Sequence, residues 1–488
     1  MKKLFLYISA FSLISLGSCT KSILDINQNP NSATNSTPQL TMPVALENAA
    51  RYSQIDFPDM GMWMGYVAIN SGFALGYQAN SYDITTNFMD GVWDNFYLNI
   101  ANFKYIEDKA VEQDLPLYEA IAKLFQAYDY SILVDLYNNV PYSDAMLKQG
   151  GLNISPKYDK GSDVYDSCVA QINKAIEILN DPATELSISQ ATDNARIITF
   201  KGSLPDLDLW KRFANSLKLR LLINQSEAGK DAYVKAEAAK INADQLLQVG
   251  DDVLADPGYL NSTGKTNPYY GSFYNKPGEA GDFYKMYHAN NYAVDFYVNN
   301  NDPRVSFFYD KTSSGYVGNN FGNETAVGAS AVGSPSLNPT APSVIMTASE
   351  ALFDQAEAIQ RGWISGNAKQ AYLDGIKSSF QYTGVKDVDA ALATYTAQDN
   401  VNWDVAKDKI KLIITQKWAA LNQMSILPVY NDYRRTGYPD VPISIYSGHK
   451  PKIPLRILYP QSEYNKNAAN VEAEGSIDPQ TSKVFWDK

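Results

Sequence analysis

Two short stretches of this chain concentrate ring and amide side chains in a way that suits recognition. Tyr77, Gln78, Asn80, Tyr82 and Asp83 crowd the first, and Tyr269, Tyr270, Phe273 and Tyr274 the second. Ring faces cover the apolar patches of a sugar or a side chain, while Asn, Gln and Asp bond hydroxyls or peptide groups. Both stretches are therefore candidate ligand-binding sites. The chain carries 34 Tyr against 7 Trp and 19 Phe. Most of these tyrosines are expected in the core, yet such an excess also marks low-entropy contact surfaces.

Catalytic chemistry is less well supplied. Two cysteines, Cys19 and Cys168, and two histidines, His288 and His449, make neither a disulfide framework nor a zinc-type cluster. His288 has no second catalytic partner and reads as a surface or packing residue. Asp251-Asp252 and the run from Asn299 to Asp302 lack EF-hand spacing, so no metal is expected. No cofactor and no catalytic residue is assigned. A glycoside hydrolase needs only two suitably spaced carboxylates, and 53 acidic residues leave that class open. The net charge of −12 argues against a nucleic-acid partner, because phosphate binding needs a basic face.

The N-terminus reads as an address. Lys2 and Lys3 precede an apolar run from Leu4 to Leu16, which is too short for a good membrane span and fits a signal-peptide core. Leu16-Gly17-Ser18-Cys19 resembles a bacterial lipobox, which makes residues 1–18 the leader and Cys19 the lipidated mature N-terminus. Residues 19–38, rich in Asn, Ser, Thr and Pro, are a flexible tether. Cys168 then remains a lone thiol on a helix stripe, expected in the core.

Helices must position the two clusters. Val344 to Phe380 reads as a helical hairpin. Thr347 and Glu350 form a capping box, and Leu352, Ala356, Ile359 and Trp363 make one apolar stripe. Ser365-Gly366-Asn367 breaks it before a second helix through Ala371, Tyr372, Ile376 and Phe380. Ala356, Ala358, Ala368 and Ala371 allow close approach. Further helical patterns cover Leu40–Arg51, Phe88–Val111, Leu117–Leu136, a helix capped by Ser162, one around Leu209–Leu221, and Ile410–Met424. Lys211, Arg212, Lys218 and Arg220 are available to solvent or to acidic partners, and Trp93, Trp210, Trp363 and Trp418 are expected in the core. Helix pairs of this kind bury their faces only against neighbours, which gives a tetratricopeptide-like core. A single domain over residues 39–488 is expected, with a loop-rich insertion at about 251–342. After Met424 the chain reads as irregular and Pro-rich, stable only by packing across the helices, and Arg434-Arg435 reads as structural.

The order of several motifs resembles the SusD/RagB family of nutrient-binding outer-membrane lipoproteins, in its SusD-like branch. They are the lipobox at Cys19, LDINQNPN at 24–31, DLYNNVPYSDA at 135–145, NDPR at 301–304, and the 344–380 hairpin. QKWAALN at 416–422, DYRRTGYP at 432–439 and LYPQSEYNKNAANV at 458–471 follow. The resemblance implies a mostly α fold of four tetratricopeptide-like helix pairs supporting a loop-rich binding half. It also implies a partner, a SusC-like TonB-dependent transporter, over which a lipid-anchored lid at the cell exterior captures an oligosaccharide or peptide without catalysis. A surface glycoside hydrolase and a purely protein-binding helical-repeat assembly factor remain the competing readings.

Overall fold

Helices supply most of the core. The structure is a computed structural model describing residues 36–55, 57–73, 77–147, 151–184, 198–200 and 207–488. The leader, Cys19 and the tether as far as residue 35 lie outside the described residues. The longer helices are α1 (Pro38–Ile55), α2 (Gly91–Glu112), α3 (Pro116–Tyr137), α4 (Gly161–Asn180), α5 (Leu207–Asn224), α6 (Ala348–Gln360), α7 (Ala368–Tyr382), α8 (Lys409–Leu421) and α9 (Ile426–Thr436). Each of α1 to α5 packs on its successor in the chain; α6 packs on α7, α8 and α5. The result is mostly helical and built from successive helix pairs, in the tetratricopeptide-like manner.

Short antiparallel strands tie in the irregular parts. β1 (Val67–Ile69) pairs with β6 (Tyr287–Ala289), setting Val67 opposite Ala289. β2 (Ile198–Phe200), β3 (Val253–Ala255) and β7 (Ser343–Met346) form a three-stranded sheet in that order. β4 (Tyr274–Lys276) and β5 (Glu279–Ala280) make a small hairpin.

α3 is the axis of the first half. Pro116 starts it, where the missing N–H costs nothing. All its residues except Pro116, Glu119 and Lys123 are buried, the polar Gln126, Asp129, Ser131 and Asp135 among them. The helix stops at Asn138, whose φ is +65°. Gly161, at the start of α4, then crosses so close that a Cβ there would meet the Asn138 carbonyl at 2.5 Å. The neighbouring Asn139 accepts from the Gly161 N–H at 3.0 Å and donates to Glu474 at 2.6 Å. Asn138 Oδ1 accepts from the Phe485 N–H. The Asn138-Asn139 pair thus joins three distant segments. It also displaces Ser162 from its expected capping role: α4 begins at Gly161, two residues earlier than a Ser162 cap requires, with its first N–H already bonded by Asn139.

The α6–α7 hairpin forms as read, with two differences. Thr347 Oγ1 accepts from the Glu350 N–H at 3.1 Å, but the Glu350 side chain does not return to complete the box. It is fully buried and pairs with Arg220 of α5 at 2.7 Å. Gly375 also allows a close approach of the two helices, since a Cβ there would stand 2.9 Å from the Phe353 ring. Another expectation is corrected after Met424. The chain there is not irregular at once but forms α9, because Pro428 falls in its first turn, where proline is tolerated.

A buried ion ladder runs along α6. Beyond Glu350–Arg220, Asp354 accepts from Lys417 of α8 at 2.7 Å, and Glu357 receives both terminal nitrogens of Arg435 of α9 at 2.6 Å each. Asp432 bridges Lys417 at 3.1 Å and Arg435 at 2.7 Å. Burial alone would raise Glu357, but Arg435 and Arg361 outweigh it and hold the carboxyl at about 2. Lys218 and Arg220 therefore face acidic partners inside the fold and not solvent, with Lys218 paired to Glu237 at 3.0 Å. Arg435 is structural, as expected. So is Arg434, which donates to the Leu455 carbonyl at 2.7 Å and covers the Trp486 ring.

The 251–342 region is held by the same means. Arg304 of the NDPR motif is fully buried, bonds Asp302 through two nitrogens and reaches Ser379 of α7 at 3.0 Å. Trp418 of α8 stacks on Tyr66 with ring centres 5.4 Å apart and meets Tyr292 and Phe296 edge-on. Tyr297 donates to the Ala419 carbonyl and Tyr309 to that of Tyr66. Trp93, Trp210 and Trp363 are buried as well, and Cys168 is a buried free thiol.

Two stability predictions follow from this packing. Arg435→Ala would strip Glu357 of its bidentate partner and leave Glu357 and Asp432 buried with one counter-ion each, Arg361 and Lys417. We expect a loss of about 3–5 kcal/mol in urea denaturation, against less than ~1 kcal/mol for Lys174→Ala of the exposed Lys174–Glu177 pair. The second concerns pH. Burial raises Asp135 of α3 from 3.8 to about 6, opposed by the Tyr165 hydroxyl, Arg434 and Asn431. Between those values the native chain holds more protons than the unfolded one, so this group's contribution to stability falls as pH rises. Asn does not titrate. The cost of Asp135→Asn should therefore be greatest near pH 4 and smaller by about 1–3 kcal/mol at pH 7, and a constant cost would refute the assignment.

Candidate functional site

The first cluster sits where three loops are laced together. Residues 77–81 form one helical turn, in which Ser81 Oγ donates to the Tyr77 carbonyl and accepts from the Asp83 N–H. Gln78 Oε1 accepts from the Thr85 N–H at 2.7 Å and closes the loop. The second loop, around Phe321, meets the third, 441–450, through the Ile445 N–H to the Phe321 carbonyl at 2.9 Å. The Lys450 N–H returns to the Ser81 carbonyl at 2.7 Å. Gly322, at φ +85°, is required at this crossing: a Cβ there would stand 2.2 Å from Ser444 Oγ.

Tyr82 is the pin beneath. Its φ is +58°, a conformation a bulky residue adopts only when its surroundings enforce it. Those surroundings are Trp63, Phe321 and His449 around its ring, and the Ser444 N–H donating to its hydroxyl at 2.9 Å. Burial pushes that hydroxyl's pKa up. Tyr82 is thus a packing residue and Asn80 is buried as well, against the expectation that they present themselves to ligand.

Above the pin lies an open face. Tyr77 is 52 % exposed and meets the ring of Tyr446 edge-on at 5.7 Å. Asp83 and Lys450 form an exposed ion pair at 3.4 Å beside them. Gln78 is half-buried, while Ile443 and Ile445 are exposed. Two rings at right angles, flanked by an amide, a carboxylate and an ammonium, can hold a ring-shaped ligand by its apolar side and bond its hydroxyls. Tyr446, His449 and Lys450 were missed in the sequence. Their segment reads there only as Pro-rich packing, and no local pattern brings it to Tyr77.

The second cluster is divided by the fold. Tyr270 and Phe273 are buried, and the ligand-contact expectation for them is corrected: they pack within their own loops. Tyr270 stacks on the half-buried Tyr274 with ring centres 4.5 Å apart and planes 4° from parallel, and Tyr284 leans on Tyr274 at 5.2 Å. Tyr269 alone borders a cleft, of about 260 Å³, and donates to Gln423 Oε1 at 3.3 Å. A larger cleft, of about 520 Å³, lies beside Trp93, Tyr97, Ile154 and Glu463. It adjoins the first cluster's loop through Thr86 Oγ1, which donates to Gln461 Oε1 at 2.9 Å.

Among the described residues no group of His, Cys, Asp and Glu could hold a metal ion, and no helix is long and apolar enough to cross a membrane. His288 lies in β6 with Nδ1 2.8 Å from the Ala329 carbonyl, a packing role.

Solved structures share this architecture. A SusD homolog from Bacteroides fragilis NCTC 9343 matches with a TM-score of 0.74 and 23% identity, over 93% of this chain and 100% of that one. A chitin-binding SusD homolog from Flavobacterium johnsoniae matches with 0.73 and 23%, over 92% and 98%. A SusD-like protein from Bacteroides thetaiotaomicron VPI-5482 gives 0.72 and 23%, over 91% and 98%. At this identity the likeness establishes the fold. No curated protein matches the chain. The relationship itself rests on a family model that spans residues 30–460: the chain belongs to the SusD-like family, described as starch-binding and associating with the outer membrane.

Proposed function

We propose that this protein is a cell-surface glycan-binding lipoprotein whose capture site is the open face of Tyr77 and Tyr446, with Gln78, Asp83 and Lys450 bonding the ligand's hydroxyls. The observation that carries this reading is the 52 % exposure of Tyr77 on a support as rigid as the Tyr82 pin. A half-exposed ring paired with a second ring offers apolar area to a ligand, and a well-packed base lowers the entropy lost on binding. Family membership and a chitin-binding relative favour an oligosaccharide over a peptide. Asp83 on this face is paired to Lys450, an arrangement suited to holding a ligand's hydroxyls.

In the same reading Cys19 carries the lipid that anchors the chain to the outer membrane, exterior side outward. The bound glycan passes to a SusC-like TonB-dependent transporter beneath. The acidic surface and the absence of a membrane-crossing helix among the described residues are compatible with anchoring through lipid alone.

Calorimetry on the chain lacking residues 1–19, with hits from a glycan array, tests the site. Tyr77→Ala should weaken binding roughly 3- to 10-fold with an unchanged melting temperature. Tyr82→Ala should instead lower the melting temperature, with a cost of about 3–5 kcal/mol. Retained affinity in Tyr77→Ala would remove the site, and release of shorter sugars would make the protein an enzyme. For the anchor, Cys19→Ser should abolish labelling by a radioactive fatty acid and move the protein from the membrane to the soluble fraction.

A further inference from the structure

The cleft of about 260 Å³ beside Tyr269 is distinct in chemistry from the open face. It lies between the C-terminal end of α1, the 335–342 loop and the end of α7, with Gln54, Asn267, Phe307, Asn338 and Tyr382 among its walls. None of its described lining residues is charged. Rings and prolines supply apolar walls, and the polar groups are amides and hydroxyls.

Most of those amides are already occupied. Asn267 accepts from the Tyr270 N–H and donates to the Ala341 carbonyl. Gln423 Oε1 accepts from Tyr269 and from Ser336, and its Nε2 donates to the Phe308 carbonyl at 3.0 Å. Gln54 is the exception. Its Oε1 is buried and accepts from none of the described residues. It also lines the narrow apolar void on the other side of Tyr269, so it stands on the wall that the two spaces share. A buried acceptor without a donor is costly and rare in native folds. A ligand that brings an N–H or O–H would satisfy it.

We propose that this cleft is a second subsite that takes one uncharged sugar residue, its apolar side against Tyr269 and Phe307 and one of its donors on Gln54 Oε1. The proposal rests on the glycan-binding reading above. Its volume is below the ~300–1,000 Å³ of drug-sized sites, which leaves room for a single ring. The neutral walls set the selectivity. A uronate carboxylate entering here would lose its water and find no cation, whereas a neutral hexose or an N-acetylated one gives up only hydroxyl and amide hydration, which the walls replace.

The test uses the Tyr77→Ala/Tyr446→Ala chain, in which the open face is disabled, titrated with maltotriose, chitotriose and trigalacturonate. At least one neutral trimer should still bind, and Gln54→Leu or Tyr269→Ala added to that background should weaken it at least 5-fold. Gln54→Leu should not lower the melting temperature, since it replaces an unsatisfied acceptor with an apolar group of similar size. Trigalacturonate should not bind. Loss of all binding in the double variant, residual binding indifferent to Gln54 and Tyr269, or equal binding of the acidic trimer would each overturn the subsite. If the parent chain binds none of the sugars, the glycan reading falls and the subsite with it. If the double variant binds as tightly as the parent and the cleft variants weaken it, only the open face falls.

Discussion

The second half of the molecule depends on charges that have no access to water. α6 presents Glu350, Asp354 and Glu357 on one side, and α5, α8 and α9 each meet it with a cation. No one of these contacts is a strong argument for stability, because desolvation consumes most of the Coulombic gain. Their effect is on arrangement. A slip of one helix by a turn would strand a carboxylate or a guanidinium in the core, an error of several kcal/mol, so the ladder admits one alignment of four helices. Asp432 sharpens this by holding Lys417 and Arg435 at once. The Arg304–Asp302 pair extends the same logic to the irregular region.

Tyrosine does for the loops what the ladder does for the helices. Loop backbone that is buried must find donors for its carbonyls, and no neighbouring strand supplies them. Tyr97, Tyr309, Tyr372 and Tyr459 each bury a ring and donate the hydroxyl to a distant loop carbonyl, and Tyr66 and Tyr297 do the same for carbonyls in the last turn of α8. One residue type thereby provides apolar area and a bond at the same point. Part of the large Tyr content has this use.

What could be read in advance divides along physical lines. Helix periodicity and the α6–α7 hairpin were legible, because a 3.6-residue stripe is local information. So was the structural role of Arg434-Arg435. The fate of Glu350 was not: its spacing from Thr347 satisfies a local rule, but Arg220, over a hundred residues away, offers a stronger partner. Ser162 lost its capping place to Asn139 in the same way. At the candidate site, Tyr77 and Tyr82 look alike in sequence, five positions apart. Only the arrival of Phe321 and Ser444 buries one and leaves the other in water. Tyr446 was illegible for the same reason, since its relevance depends wholly on where a distant loop comes to rest.

The lacing of those three loops has a consequence for quality control. The open face is composed of residues near 80 and 446 over Tyr82, which packs on Phe321 and on Trp63, and Trp63 itself contacts Tyr430. Such a surface cannot be inherited from any fragment. Closing contacts of this span is slow, because the entropy of long loops is lost before their bonds form. A molecule in which α9 has not docked would still contain most of its helices, yet it would have no paired rings to offer. On the reading proposed above, ligand affinity would therefore report on complete assembly of this face, and a half-assembled copy would offer no site.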